Sequence, residues 1–279
     1  MPNDAQIDIW NGPSGQKWAD QSSALDGLLA PFASSVLESG GIKAGEKVLD
    51  IGCGAGAMTL QATNIADGKV SALGVDVSEP LINLARQRAS QTGSSARFEL
   101  ADASTFSTQE KFDIAISRFG VMFFDHPASA FQNIRNQVTP EGRIVFVCWQ
   151  AITLNEWIMG PIQAAIPFLE QAPTPSDPNA PGPFAFADKD RVFGYLSEAG
   201  WQGISIEPLI TELTLPGTSL ETTANLMLQI GPLASLISEQ EIDPKPVQQA
   251  VVERLSKNLS SDGRVRMDSA CWIVQAQAS

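Results

Sequence analysis

Apolar and polar positions along the 279-residue chain change period near residue 47. Before it, Trp18, Leu25, Leu28, Leu29, Phe32, Val36 and Leu37 recur at helical spacing and Gly40-Gly41 marks a stop, so residues 1–44 read as a helical segment. Trp10 and Trp18 frame a turn-rich stretch, Asn11 to Lys17, ahead of the long helix. From Lys47, short apolar runs alternate with helix-patterned segments: strand 47–51, helix near 56–66, strand 70–76, helix 79–91, then strands 96–100 and 112–117. Such alternation predicts a parallel sheet with helices on both faces. Ser78 and Pro80 open one helix and Pro127 another that runs to Val138; residues 139–142 read as a turn before a buried strand, Arg143 to Trp149.

Beyond Gln150 the rhythm breaks. Pro173 to Pro183 holds five prolines and has no helical or strand period, so 151–187 reads as a proline-rich insertion. The pattern resumes with a helix near 188–199, a strand near 203–213, a helical insert across 220–259 and a strand at 270–276. Two late strands separated by a long insert predict an antiparallel edge. The expected architecture is α/β: a doubly wound, mostly parallel seven-stranded sheet with an antiparallel edge strand and a helical cap. It divides into a helical lid (1–44), a core (45–150), the insertion (151–187) and a completing segment (188–279).

Charge narrows the partners. With 31 acidic against 18 basic residues the net charge is -13, and its field disfavours nucleic-acid backbones and anionic lipid surfaces. Arg86 and Arg88 read as a solvated helix face. No apolar run is long enough to span a bilayer and residues 1–10 lack a leader pattern, so a cytoplasmic setting is expected. Three scattered cysteines and one histidine give no metal-ligand spacing, so no metal is expected. Small molecules are the favoured partners.

The chemistry concentrates in Val48-Leu49-Asp50-Ile51-Gly52-Cys53-Gly54-Ala55-Gly56, an apolar strand ending in an acid and a glycine-rich turn. Gly52, Gly54 and Gly56 let backbone approach a nucleotide-bearing ligand closely, and the pattern also fits the loose dinucleotide fingerprint. Asp76, at the end of the second strand, can accept two ribose hydroxyls in either case. Asp50 tips the balance, because it would repel a pyrophosphate and attract an ammonium or sulfonium. Asp102 adds a third strand-end carboxylate.

These residues resemble the class I S-adenosylmethionine-dependent methyltransferases, a Rossmann-like family, and within it the small-molecule enzymes similar to the ubiquinone and menaquinone C-methyltransferases. VLDIGCGAG matches the first motif, GVDVS at 74–78 the second, Ala101-Asp102-Ala103 the third and FDIAISRFGVMFF at 112–124 the fourth-strand segment. Glu141 departs from the usual Pro-Gly-Gly turn. The resemblance implies that Asp50 serves the amino group of S-adenosyl-L-methionine while Gly52, Cys53 and Gly54 line its methionine portion. Asp76 would hold the ribose hydroxyls, with Val77 and Leu81 against the adenine. Asp102 and the Ala103 N–H would address adenine nitrogens. Ser117, Arg118 and Phe119 would lie beside the sulfonium, their carbonyls toward the amino group. Trp10 or Trp18 would close over the site, as this region does in similar enzymes. The acceptor is expected to be a small molecule, with Phe119, Met122 and Phe123 as candidate walls. Two alternatives stand beside this reading: a nicotinamide-dependent oxidoreductase using the same loop, and a cofactor-binding protein without turnover.

Blander roles suit other residues. His126 sits at a helix start, where Asp125 or His126 would cap, and no catalytic residue is assigned. Tyr195 falls among apolar residues in a helix pattern and reads as core. Cys53 reads as a small packing residue.

Overall fold

The computed structural model describes residues 3–173, 177 and 180–279. Of the proline-rich run 173–183, residues 174–176 and 178–179 lie outside the described residues. The strands are β1 (Lys47–Ile51), β2 (Ser71–Asp76), β3 (Arg97–Leu100), β4 (Phe112–Arg118), β5 (Val138–Trp149), β6 (Gln202–Thr214) and β7 (Arg266–Gln277). They form one seven-stranded sheet in the order β3-β2-β1-β4-β5-β7-β6. Pairings from β3 across to β5 are parallel, whereas β7 runs antiparallel to both β5 and β6. The expected fold is therefore present, with β6 as the antiparallel-paired edge.

The order explains the apolar runs. β1 and β4 are covered on both faces, so Val48, Leu49, Ile51, Ile114, Ala115 and Ile116 are all buried rather than alternating. In β5 the two faces are told apart by aromatic partners. Phe146 packs on Phe131 and Phe186, while Trp149 meets Phe32. Phe131 belongs to α6 (Pro127–Gln137) and Phe32 to α3 (Ser22–Gly40), helices on opposite sides of the sheet.

Two short helices, α1 (Asp4–Asn11) and α2 (Pro13–Asp20), precede α3. The stretch expected as turn-rich is thus mostly helix: Gly12 ends α1, and Pro13 starts α2 at a first-turn position where its missing N–H costs nothing. α4 (Ala57–Thr63) and α5 (Glu79–Thr92) follow β1 and β2. β5 begins earlier than expected. Phe112 pairs with Val138 and Ile114 with Arg143, so 139–142 is a bulge inside the strand rather than a turn before it.

Within 151–187 the structure adds α7 (Glu156–Ala165), a helix that the sequence pattern did not reveal because Gly160 and Pro161 lie inside it. Then come α8 (Lys189–Glu198) and, between the last two strands, α9 (Leu220–Met227), α10 (Gly231–Glu239) and α11 (Pro244–Ser256). α7 packs on α10, α11 and β7, joining the region after β5 to the later helical insert. No helix among the described residues is long and apolar enough to cross a membrane.

Candidate functional site

Parallel strands deliver their C-terminal ends to one side of the sheet, and there β1, β2 and β4 open into two adjoining cavities. The turn after β1 makes them possible. Gly52, Gly54 and Gly56 all adopt positive φ, and a Cβ on Gly52 would lie 2.7 Å from the Cα of Gly120. Side chains are thereby kept out of the place where the β1 and β4 turns meet.

One cavity runs over the ends of β2 and β3. Asp76 lies in its wall with Oδ1 accepting from Ser78 N and Oδ2 from Gly54 N, each at 2.8 Å. Burial raises the Asp76 pKa, and the N–H donors of Ser78, Gly54 and Val77 oppose that rise. Each carboxylate oxygen has two lone pairs, so acceptor capacity remains on both. Asp102 takes Ser104 N and Asn3 Nδ2 on Oδ1, each at 2.9 Å, and Ser104 Oγ on Oδ2 at 2.7 Å. One lone pair of Oδ2 is left. Val77, Leu81 and Ala103 supply apolar wall, and Trp10, Phe123 and Phe124 face them.

The second cavity reaches under the loop to Asp50, Cys53 and Met58 and across to α3. Asp50 is 1% exposed, and Thr59 Oγ1 donates to its Oδ2 at 2.6 Å. Its Oδ1 is buried with no partner. Burial, with the charge of Asp76 adding to it, pushes this carboxyl up to about 7 against the pull of Thr59 and Arg118. Arg118 lines both cavities; its Nη2 donates to Asp26 Oδ1 at 3.1 Å while Nη1 is buried without a partner. Asp26 Oδ2 in turn accepts from Arg88 Nη1 at 2.7 Å, so one carboxylate of α3 bridges two guanidinium groups. Phe119, at φ 68, lines both cavities and stacks on Trp149 with centroids 4.2 Å apart.

Most of the residues expected at a site converge. Trp18, Gly52, Gly54, Leu81, Arg118 and Phe119 line both cavities; Trp10, Asp76, Val77, Asp102 and Ala103 line the first, and Asp50 and Cys53 the second. Gly56 and Ser117 do not face either. Gly56 sits against Phe98, where a Cβ would be 2.6 Å from its ring, and the Ser117 hydroxyl donates to Ile51 O at 2.8 Å. Both shape the walls from behind. Burial, with Asp76 and Asp50 nearby, raises the Cys53 thiol well above its ordinary value, which fits a packing residue. Met122 is core at 1% exposure, and His126 precedes α6 without capping it. Asp125 does not cap either, because its Oδ2 accepts from Asn3 N at 2.7 Å.

Four contributors escaped the sequence reading: Asn3, Asp26, Thr59 and Arg88. Arg88 is not a solvated-face residue; it also donates to Ala55 O and Ser22 Oγ. Its position was readable, since it follows Leu81 by seven residues and Ala85 by three, on the buried stripe of α5. Arg86 is exposed, as expected, although its guanidinium donates to Phe98 O. No local pattern marks Asn3 or Asp26, whose partners lie far along the chain.

Residues 42–163 match the family model of a methyltransferase domain. The chain is 33% identical over 105 residues, 37% of its length and 21% of the relative's, to phosphoethanolamine N-methyltransferase 1 of Triticum aestivum. It is 30% identical over 136 residues, 47% of its length and 48% of the relative's, to an uncharacterized protein of Mycobacterium tuberculosis. The matches thus span about a fifth to a half of the length of these curated relatives. Among solved structures, phosphoethanolamine N-methyltransferase 2 of Haemonchus contortus, in complex with S-adenosyl-L-methionine, superposes with a TM-score of 0.58 at 14% identity, covering 97% of this chain and 59% of that one. At that identity the likeness is one of fold.

Proposed function

We propose that the chain built on this methyltransferase domain is an S-adenosyl-L-methionine-dependent methyltransferase acting on a small-molecule acceptor. The observation that carries the reading is the buried, partnerless Oδ1 of Asp50, whose residue lines a cavity adjoining the one that holds the Asp76 and Asp102 carboxylates. An unpaired buried acceptor of this kind costs stability until a donor reaches it, and the α-ammonium of the cofactor is a charged donor. The residues fit the rest of that ligand. Asp76 retains lone pairs for two ribose hydroxyls, Asp102 retains one for an exocyclic amine, and Val77, Leu81 and Phe123 offer apolar surface to a purine.

When bound, the cofactor supplies an activated methyl sulfonium. What the chain must do is hold it, keep water away and align an acceptor, which is a proximity effect rather than acid–base chemistry. Phe119 and Trp18, at the junction of the two cavities, form an apolar and aromatic wall suited to excluding water. α1 and α2 serve as a lid. Trp10 O accepts from Ser78 Oγ at 2.8 Å and Asn11 Nδ2 donates to Val77 O at 2.9 Å, so the lid rests on the turn that carries Asp76.

The nicotinamide alternative is disfavoured by the same geometry. A pyrophosphate over the loop would meet the Gly54 N–H already taken by Asp76, with the Asp50 carboxylate beneath it. Calorimetric titration decides between them: S-adenosylhomocysteine should bind in the micromolar range or tighter, NAD(H) should not bind, and Asp76→Ala should remove the former. Binding of NAD(H) without S-adenosylhomocysteine would overturn the proposal. Product formation from an acceptor panel then separates turnover from cofactor binding alone.

A further inference from the structure

Aromatic rings gather where the two cavities meet. Trp18 and Phe119 line both cavities, and Trp10 and Phe123 line the first. Trp10 stands nearly perpendicular to Trp18 and to Phe123, with ring centroids 5.6 and 5.3 Å away. Phe119 is stacked on Trp149 at 4.2 Å and 7°; Phe32, 5.1 Å from one ring and 5.2 Å from the other, sits at their shared edge. No ring contact among the described residues covers the opposite face of Phe119. Rings held in this way offer flat surface to a planar ligand and π faces to a cation, most effectively where water is excluded. The net charge of -13 adds a field that draws cations in.

Proton chemistry narrows the acceptor. The ionisable side chains among the cavity-lining residues are Asp26, Asp50, Cys53, Asp76, Asp102 and Arg118. Asp26 is engaged by Arg118 and Arg88, and burial raises the Cys53 thiol. Asp50, Asp76 and Asp102 are the carboxylates that the cofactor reading occupies, and an arginine keeps its proton. None is left to take a proton from an acceptor. Alcohols, phenols and thiols carry a proton that must leave on methylation, and an aliphatic amine is already protonated near neutral pH. A pyridine-type ring nitrogen meets neither obstacle, because its lone pair lies free in the ring plane.

We infer that the acceptor is a planar heteroaromatic compound methylated on an unprotonated ring nitrogen, with Trp18 and Phe119 as the residues that select it. The nitrogen lone pair forms the new N–C bond as the S–C bond breaks. Sulfur keeps the bonding pair, the positive charge passes to the ring, and no proton is released. The inference rests on the cofactor reading above and names the substrate class of that site.

The test loads the protein with S-adenosylhomocysteine and compares N-methylquinolinium with 2-methylquinoline, a ring of nearly the same shape that is neutral at slightly alkaline pH, by ligand-observed NMR titration. Wild type should favour the cation by about tenfold, and the cation should bind S-adenosylmethionine-loaded protein about tenfold more weakly, because like charges then adjoin. Trp18→Leu should bring the preference toward unity while 2-methylquinoline still binds, which also verifies that the pocket is formed; Trp18→Phe should keep most of it. Incorporation of fluorinated tryptophan, which drains π density with little change of shape, should weaken only the cation. With S-adenosylmethionine, quinoline should yield N-methylquinolinium by mass spectrometry, and phenol, benzyl mercaptan and benzylamine should yield no product. Equal binding of the two rings, insensitivity to fluorination, or a panel in which quinoline is not methylated would overturn the inference and leave the cofactor reading intact. Failure of wild type to bind S-adenosylhomocysteine would overturn both.

Discussion

Asp50 holds its proton unusually tightly because burial strips water from the carboxylate and the charge of Asp76 lies nearby, raising its pKa to about 7. A cationic ligand donating to Oδ1 would favour the charged form. Titration of S-adenosylhomocysteine near pH 7, in buffers of differing ionisation enthalpy, should therefore reveal release of roughly half a proton per ligand bound, falling toward zero at about pH 8. In Asp50→Asn that release should disappear. Proton uptake in wild type would contradict this assignment. Asp50, Asp76 and Asp102 were legible in the sequence because each follows an apolar strand, where its neighbours announce a strand end. Thr59 and Asp26 were not, because what makes them matter is a partner in another element: a hydroxyl 2.6 Å from Asp50 and a carboxylate shared by two arginines.

At the scale of elements, α1 depends on a few polar ties more than on packing, since it contains no buried residue. Asn3, just before it, exchanges hydrogen bonds with Asp125 and donates to Asp102 and Ser104. Asn3→Ala removes the side-chain bonds from a buried position, with an expected loss of about 1–3 kcal/mol concentrated in the lid. The measurable outcome is faster amide exchange across α1 and α2 and faster dissociation of bound S-adenosylhomocysteine, with β1–β4 unchanged. Uniform loosening of the whole chain would instead assign Asn3 a global structural role. The strands and α3, α5, α6 and α8 were readable from period and caps; α2 and α7 were not. In both, a proline that usually signals a break lies where the helix accommodates it, at the first position in α2 and among tertiary contacts in α7.

For the whole molecule, burial of Asp50 and Asp76 links stability to pH in a definite direction. Both carboxyls have raised values in the folded state, so their stabilising share is complete below the ordinary carboxylate range and is lost as pH rises through the folded values, for Asp50 through about 7. Urea unfolding of ligand-free protein should show wild type losing ground to Asp50→Asn between about pH 5 and 7, by a few kcal/mol at most. A flat difference across that window would place the Asp50 proton elsewhere. The seven-stranded order itself was partly written in the alternation of apolar runs, but which late strand lay outermost was not, because register across β5, β7 and β6 depends on contacts between distant segments.

That order has a consequence for the sequence of events in folding. Among the described residues β6 has no strand partner but β7, which comes later in the chain yet lies between β6 and β5. Emerging from the ribosome, β6 meets no free sheet edge matched to it. It must wait, with 13 residues of unpaired strand, until three helices and β7 have followed. Pairing of β7 into the sheet and recruitment of β6 are then one late, long-range event, and the chain's exposure to misassociation is greatest just before it.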